Sequence, residues 1–183
     1  MKWILSILSI CLCILIQAQD KYFTRSGKVI FYSKAPIEDI KAVNNQLSCI
    51  YEIETNRLIA NALIKAFEFE KSLMQQHFNE NYLESEKFPK ATFKGKILNN
   101  QMLDFKSNWT KTVEYEGDLS IHGITKKITN SASISNIDGV LSVSTEFYIA
   151  LKDFDIKIPA TVINNIAEKV QVKVNLKMSQ LNK

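Results

Sequence analysis

The sequence predicts an all-β protein, an eight-stranded antiparallel β-barrel with one or two short helices that cap it. Eight segments alternate apolar and polar residues with a period of two, the pattern of strands with one buried face. Short turn signals join several of these segments, so consecutive strands are expected to pair. The chain has only five glycines and three prolines, and no linker interrupts the pattern. One barrel domain is therefore expected.

The first predicted elements are a short strand, a short helix and a hairpin. Val29 to Ser33 is apolar and aromatic, which favours a strand. After Pro36, the apolar residues of segment 37–44 fit one face of a two-turn helix. The alternating segments 47–54 and 57–65 are separated by a two-residue turn and predict the first hairpin.

A central stretch, residues 67–95, has the most unusual composition of the chain. Phe67 and Phe69 alternate at the end of a strand, and residues 70–85 follow with helical spacing. On a helix the following residues share one face: Leu73, Met74, His77, Phe78 and Asn81. We expect this stretch to form an aromatic and Met-rich lid between two strands.

The C-terminal half of the sequence predicts five strands. The predicted strands are residues 91–98, 110–121, 124–135, 140–151 and 169–178. Turns at His122-Gly123 and at residues 137–139 join three of them into a meander. The interior of an eight-stranded barrel is either filled by side chains or holds one small ligand. The mixture of aromatic and small inward residues leaves both outcomes open.

The N-terminus has the pattern of a secretory signal peptide, residues 1–18, so the mature domain is expected to span residues 19–183. Lys2 precedes an apolar run that is too short to span a bilayer, so no stable membrane anchor is expected. Without Lys2 the chain keeps 22 of its 23 basic residues against 19 acidic ones. Such a mild excess predicts no nucleic-acid partner. Cys49 is then the single cysteine, and a buried, unreactive thiol is expected there.

Chemistry-bearing residues are few, since the chain has only two histidines, His77 and His122. His77, Glu80 and Glu84 have a spacing that places three metal-binding groups on one helical face, but protein zinc sites use more histidine or cysteine ligands. A solvated helix is the favoured interpretation. Asp153 and Asp155 are expected to face water on either side of Phe154. No metal, cofactor or catalytic residue is predicted.

Three stretches resemble one known family. They are MQQHFNENYLESEKFPKATFKG at residues 74–95, GDLSIHGITK at 117–126 and DFDIKIP at 153–159. These segments are similar to the signature of the YceI-like family of periplasmic and secreted proteins. The resemblance implies a lipocalin-like barrel that binds a polyisoprenoid, a fatty acid or a related lipid.

The resulting functional prediction is an exported, non-enzymatic protein that holds a long apolar molecule inside its barrel, for carriage, storage or stress protection. The alternative is a small hydrolase or isomerase that uses His77 or His122 in the same cavity. The sequence leaves the identity of the lipid and the formation of a homodimer open. The residues expected to contact the ligand are Phe31, Phe67, Phe69, Met74, His77, Phe78, Phe93, Tyr115, Leu119 and Phe147.

Overall fold

The computed structural model of the protein describes residues 21–98, 103–162 and 164–181. The predicted signal peptide at residues 1–18 lies outside the described residues. The strands are β1 (Lys21–Lys34), β2 (Asp39–Glu52), β3 (Arg57–Leu63), β4 (Glu68–Phe69), β5 (Lys90–Ile97), β6 (Trp109–Ile121), β7 (Ile124–Ile137), β8 (Val140–Ala150) and β9 (Lys169–Gln180). One short α-helix, α1 (Ser72–His77), continues into a π-helix (Phe78–Tyr82), and short 3₁₀ turns occupy Ile64–Ala66, Leu151–Phe154 and Ala160–Val162. No helix within these described ranges is long and apolar enough to cross a bilayer.

The sheet closes on itself, which confirms the predicted fold class. Its order is β1-β9-β8-β7-β6-β5-β3-β2, and β2 pairs again with β1. Every neighbouring pair in this ring is antiparallel. The two-residue strand β4 lies on the edge of β2 beyond the end of β3. Closure leaves few unpaired strand edges, so the inward faces of eight strands share one interior.

The predicted helix at residues 37–44 is wrong, because β2 begins at Asp39 and runs through this segment. Its residues pair with β1 from Lys34↔Asp39 onward, so backbone groups of both strands are satisfied by the ladder. Asn44 obscured the alternation, since it is a polar residue at a fully buried position. Its side-chain amide donates to the carbonyl of Leu63 at 2.8 Å, and its oxygen accepts from the backbone N–H of Gln46 at 2.7 Å.

Strand β1 is longer than the predicted segment 29–33 and begins at Lys21. Its register with β2 shifts on both sides of Gly27, which marks an irregular, bulged stretch. A Cβ atom on Gly27 would lie 2.5 Å from a methyl group of Leu176 and 2.9 Å from the carbonyl oxygen of Leu47. This close approach admits only glycine, and the polar residues before it hid the strand from the period-two pattern.

The predicted meander is confirmed by the pairing of β6, β7 and β8. Both of its turns are two residues long and have positive φ at each position, 51° and 79° at His122 and Gly123 and 50° and 77° at Asp138 and Gly139. Such turns match the right-handed twist of the flanking strands. They also place the His122 turn and the Asp138 turn at opposite ends of the barrel.

The two ends of the barrel are built differently. At the closed end, residues 103–108 precede β6, and Phe105 packs against Tyr22 and Tyr51 with ring centroids 5.6 and 6.1 Å apart. Asn136 holds this segment by donating to the carbonyl of Ser107 at 2.7 Å. The lid end carries α1, the π-helix and the long connection from β8 to β9.

Candidate functional site: an apolar cavity under the lid

A cavity of about 400 Å³ occupies the barrel interior. All eight strands of the closed ring contribute inward side chains to its wall, and α1 and the π-helix cover it from the lid end. Most of the lining side chains are aliphatic or aromatic. A volume of this size falls within the roughly 300–1,000 Å³ of small-molecule sites. The interior therefore holds a cavity and is not a fully packed core.

All ten residues predicted to contact the ligand line this cavity, and they come from strands, turn and lid alike. Tyr115 and Leu119 are inward residues of β6, whose predicted alternation places them on the buried face. Phe147 follows the same rule on β8. Their placement on the wall is observed, whereas their contact with a ligand stays a prediction.

Four phenylalanines form a continuous cluster at the lid end. Phe31 of β1 lies 5.8 Å from Phe67, 5.6 Å from Phe69 and 5.5 Å from Phe78, measured between ring centroids. The 3₁₀ turn Ile64–Ala66 redirects the chain, so that Phe67 is buried and Phe69 continues beside β2. Phe78 closes the cluster from the lid, 4.9 Å from Phe69.

The lid is shorter than the helix predicted over residues 70–85, and not every residue assigned to its inner face points into the cavity. The α-helix ends at His77 and passes into the π-helix, a form that often marks functional sites. Met74, His77 and Phe78 line the cavity as their spacing predicts. Leu73 was assigned to the same face and instead points to water with 60% of its surface exposed. Residues one apart on a helix are separated by about 100°, so only one of Leu73 and Met74 can face the cavity fully.

The polar side chains halfway along the cavity wall form hydrogen bonds with other groups of the protein. The Tyr115 hydroxyl lies 3.1 Å from Thr145 Oγ1. The Thr145 hydroxyl donates to the carbonyl of Ser131 at 2.8 Å. Burial raises the pKa of the Tyr115 phenol, against the opposing effect of hydrogen bonds from Thr145 and Asn130. The phenol therefore stays neutral, and this part of the wall offers an apolar chain no uncompensated charge.

Strands β7 and β8 separate next to these polar groups. Their ladder runs from Ile137↔Val140 to Ala132↔Thr145 and does not continue toward the lid end. Beyond it, the side-chain amide of Asn130 donates to the carbonyl of Glu146 at 2.7 Å. Side chains thus replace the backbone bonds that the parted strands lack.

Polar groups at the mouth come mainly from loops and the lid. Ser33 Oγ accepts from the backbone N–H of Ala167 at 2.7 Å, and Glu38 forms an ion pair with Lys71. His77 and Asn165 add an imidazole and an amide to the lining. These groups can contact a polar head group, while the interior below them suits a hydrocarbon chain. Ser33 lies at the end of β1, whereas Glu38 and Asn165 lie in connecting segments. Their places at the mouth depend on how these segments meet, so the sequence pattern carried no signal for them.

His122 does not line the cavity but ties the lid end together. Its Nε2 lies 2.8 Å from a carboxylate oxygen of Glu84, and its Nδ1 lies 3.1 Å from the carbonyl oxygen of Phe154. Phe88 packs edge-on against the imidazole at 4.7 Å. The residue therefore joins the lid, the β6–β7 turn and the β8–β9 connection, a positioning role that gives no support to catalysis by His122 in the cavity.

The geometry also separates the three residues considered for a metal site. Glu84 follows the end of the π-helix with φ of 43° and contacts His122, not His77. Among the described residues, no group of three His, Cys, Asp or Glu side chains is placed to hold a metal ion.

The segment around Phe154 is arranged as its sequence predicts. Phe154 and Ile156 are 2% and 6% exposed, while Asp153 and Asp155 face water. Phe154 and Ile156 pack with Leu119 beneath the lid. The two carboxylates therefore frame a buried anchor and do not enter the cavity.

The aliphatic part of the wall was missing from the predicted site. It includes Ile128, Val143, Val170, Val172 and Val174, all on β7 to β9. The alternation already marked Val170, Val172 and Val174 as one face, so the period-two signal was sufficient to find them. The predicted site held mainly aromatic residues, although these aliphatic side chains also line the cavity.

Comparison with known proteins identifies the fold family. The family model of the YceI-like domain matches residues 28–178. A polyisoprenoid-binding domain from Saccharophagus degradans, implicated in plant cell wall breakdown, superposes with a TM-score of 0.78 at 11% identity, over 89% of this chain and 99% of that one. Burkholderia cenocepacia BcnA gives a TM-score of 0.67 at 16% identity, over 84% and 96%.

A third similar structure is the YCEI protein of Campylobacter jejuni, with a TM-score of 0.59 at 16% identity, over 82% of this chain and 90% of that one. No curated protein matches this chain significantly in sequence. The family model covers most of the closed barrel and the whole lid. This chain therefore belongs to the YceI-like family.

Proposed function

We propose that this protein is an exported carrier that holds one long apolar molecule, a polyisoprenoid, a fatty acid or a related lipid, inside its barrel. The observation that carries the proposal is the lid-covered cavity of about 400 Å³ with its apolar wall. Burial of hydrocarbon contributes about 25 cal/mol per Å² of apolar surface, so such a cavity favours a hydrocarbon chain over a polar metabolite.

The cavity wall would select a ligand mainly by the shape of its apolar part, because the polar side chains in the wall already have hydrogen-bond partners. The polar side chains midway along it, Tyr115 and Thr145, are hydrogen-bonded to each other. A ligand that carried polar groups to this depth would lose their hydration without gaining partners. Polar recognition is therefore confined to the mouth, where His77, Glu38 and Asn165 lie.

The Saccharophagus degradans neighbour makes a polyisoprenoid the first ligand class to test. Export rests on the apolar segment at residues 1–18, and secretion would place the protein where a lipid must cross water between membranes. N-terminal sequencing of protein recovered from outside the cytoplasm is expected to begin near Gln19. An intact Met1 in material extracted from membranes contradicts this part of the proposal.

Native mass spectrometry of protein purified without detergent tests binding directly. We expect a mass above that of the polypeptide, and a lipid identified after organic extraction. Delipidated protein should then bind geranylgeraniol or palmitic acid with a stoichiometry near one. A consistently empty barrel that takes up neither probe contradicts the proposal.

A further inference from the structure

We propose that His122 is a proton-dependent latch, which holds the lid closed over the cavity while its imidazole is protonated and loosens the lid when the proton is lost. The inference rests on the proposed function, because it concerns how the molecule in the cavity is exchanged. Three features support it: the hydrogen-bond partners of the ring, the backbone at the junction and the shallow packing of the lid.

The first feature is that both ring nitrogens of His122 face oxygen atoms. Nε2 lies 2.8 Å from a carboxylate oxygen of Glu84, and Nδ1 lies 3.1 Å from the carbonyl oxygen of Phe154. An ionised carboxylate and a carbonyl accept hydrogen bonds but do not donate them. A neutral imidazole donates from one nitrogen only, whereas the protonated ring donates from both. Loss of the proton therefore leaves a lone pair facing an oxygen atom.

The charged groups around the junction make Glu84 the main partner of the imidazole. The ring is enclosed, with 11% of the side chain exposed, and Glu84 is the one charged group in contact with it among the described residues. The ammonium group of Lys87 lies over the ring of Phe88 instead, 4.9 Å from its centroid. The charged side chains of the other adjoining segments all face water: Lys126, Lys152, Asp153 and Asp155. The interaction with Glu84 is therefore the one that changes most with the charge of His122.

The second feature is the backbone conformation where three segments of the chain meet. Glu84, His122 and Asp155 have positive φ values of 43°, 51° and 51°. Residues other than glycine rarely adopt this left-handed conformation, which persists where surrounding contacts hold it and is enriched in ligand clamps and switch regions. Loss of the contact between His122 and Glu84 removes one of the constraints that hold the backbone at this junction.

The third feature is the shallow packing of the lid itself. Neither α1 nor the π-helix has a buried residue. Leu83, 6% exposed, is the first buried residue after them, and its neighbour Glu84 makes the contact with His122. Elements with few buried contacts open at low free-energy cost. A single charge-assisted hydrogen bond at this end of the lid is therefore a large part of what keeps it closed.

A latch of this kind predicts that the lid opens more often as the pH rises. The closed lid binds the proton of His122 more tightly than the open lid, so protonation favours closure. Histidine side chains lose their proton between pH 5 and 8. The lid should thus be held most firmly near pH 5.5 and loosen toward pH 8. The loss of one hydrogen bond to a charged group changes such an equilibrium by about tenfold.

Hydrogen exchange of the protein without ligand tests the latch directly. Peptides that cover residues 72–88 are compared in wild type and His122→Asn at the same pH, so that the intrinsic exchange rates cancel. Asn-Gly is a favoured sequence for this two-residue turn, so the variant keeps the hairpin and loses the ring. At pH 5.5 the lid of the variant should exchange about tenfold faster than that of wild type, and at pH 8 the two should exchange alike.

Two further variants of the same region serve as checks. Glu84→Gln keeps an acceptor for Nε2 but removes the charge, so at pH 5.5 its lid should exchange at a rate between those of wild type and His122→Asn. It replaces His122→Asn if circular dichroism shows that the latter is unfolded. Glu86→Gln is the matched control, because it removes an ion pair with Lys65 whose side chains are 89% and 58% exposed. Exposed pairs contribute little, so its lid should exchange as in wild type.

Release of diphenylhexatriene measures the consequence for the cavity. This apolar dye fluoresces in apolar surroundings and has no titratable group, so its own charge does not change with pH. Wild type should release the dye about tenfold faster at pH 8 than at pH 5.5. His122→Asn should release it at the same rate at both pH values.

The outcomes separate the latch from the carrier function. Lid exchange that is the same in wild type and His122→Asn at pH 5.5 overturns the latch, and so does a difference between them that is equally large at pH 5.5 and pH 8. Both results leave the carrier function standing. Wild type that takes up neither the dye nor palmitic acid overturns the carrier function, while hydrogen exchange of the lid still decides the latch.

Discussion

The closed end and the lid end of this barrel use the same inward alternation but reach opposite outcomes. At the closed end, Tyr22, Tyr51 and Met178 are at most 2% exposed, and the half-buried ring of Phe105 packs over the two tyrosines. At the lid end, Phe31, Phe69 and Phe78 touch one another but remain half-buried around a cavity. Aromatic content alone therefore does not distinguish a packed core from a binding site.

The difference lies in what covers each end. The closed end has a tight two-residue turn at Asp138-Gly139 and a loop anchored by hydrogen bonds from Asn136. The lid end is covered by a six-residue helix with no buried residue, followed by a π-helix that also has none. Elements with few buried contacts open at low free-energy cost. We infer that the closed end supplies stability and the lid end supplies access.

The strongest test of this comparison is Tyr22→Ala at the closed end. Tyr22 is 2% exposed, packs against Phe105 and does not line the cavity. We expect the free energy of unfolding to fall by about 3–5 kcal/mol, as for other large buried aromatics. Chemical denaturation measures this loss, and native mass spectrometry should find the same lipid occupancy in the molecules that remain folded. A stable variant that has lost its lipid would reverse the roles of the two ends.

The corresponding change at the lid end is Phe78→Ala. Binding of a long-chain lipid should weaken by about 2 kcal/mol, less than for a fully buried phenylalanine because this ring is half-buried. The melting temperature should change little. Leu73→Ala is the matched control, since Leu73 lies on the same helix and is 60% exposed. A lower melting temperature with undiminished lipid binding would show that Phe78 belongs to the core and not to a lid.

The buried thiol of Cys49 provides a test of the packed interior that leaves the lid unchanged. Burial raises the pKa of its thiol to about 12. The thiol of the unfolded chain ionises near pH 8.5, so the unfolded state loses this proton first as the pH rises. Stability contributed by the neutral thiol is complete below that pH and is lost as the pH rises toward 12.

Comparison of wild type with Cys49→Ala should isolate this effect, because other groups titrate equally in both proteins. The difference in their unfolding free energies should decrease by about 1.4 kcal/mol per pH unit above pH 9. Native wild type should also resist a thiol reagent at pH 8 until denaturant is added. Rapid labelling of the folded protein would contradict a closed, packed environment around β2.

The smallest expected effect is that of His77→Ala at the mouth. The imidazole can hydrogen-bond a polar head group, but such a group can also turn to water. We expect a loss of about 0.5–1 kcal/mol for a fatty acid or an isoprenoid alcohol, and none for squalene, which has no polar head. Equal losses for palmitic acid and squalene would assign His77 an apolar contact instead.

Much of the barrel was determined by the sequence alone. Segments 110–121, 124–135, 140–151 and 169–178 were predicted to within a few residues, because strict alternation leaves a strand with one buried face as the stable arrangement. The same alternation identified the inward residues of β6, including Tyr115 and Leu119. The local sequence pattern is therefore sufficient to predict which residues of these strands face the cavity.

Tertiary structure decided the elements whose local pattern fits two structures. The apolar residues Ile37, Ile40 and Val43 fit a helical face. In the barrel, however, β1 pairs with this segment. Leaving the backbone groups of β1 unpaired would cost more free energy than the weak helical preference of the segment gains. His122 gave no sign of its contacts with Glu84 and Phe154, which come from segments more than thirty residues away. Whether the interior would be packed or hollow was also undecided by alternation. That outcome depends on how far the loops at each end fold inward, a property of the closed barrel and not of any single strand.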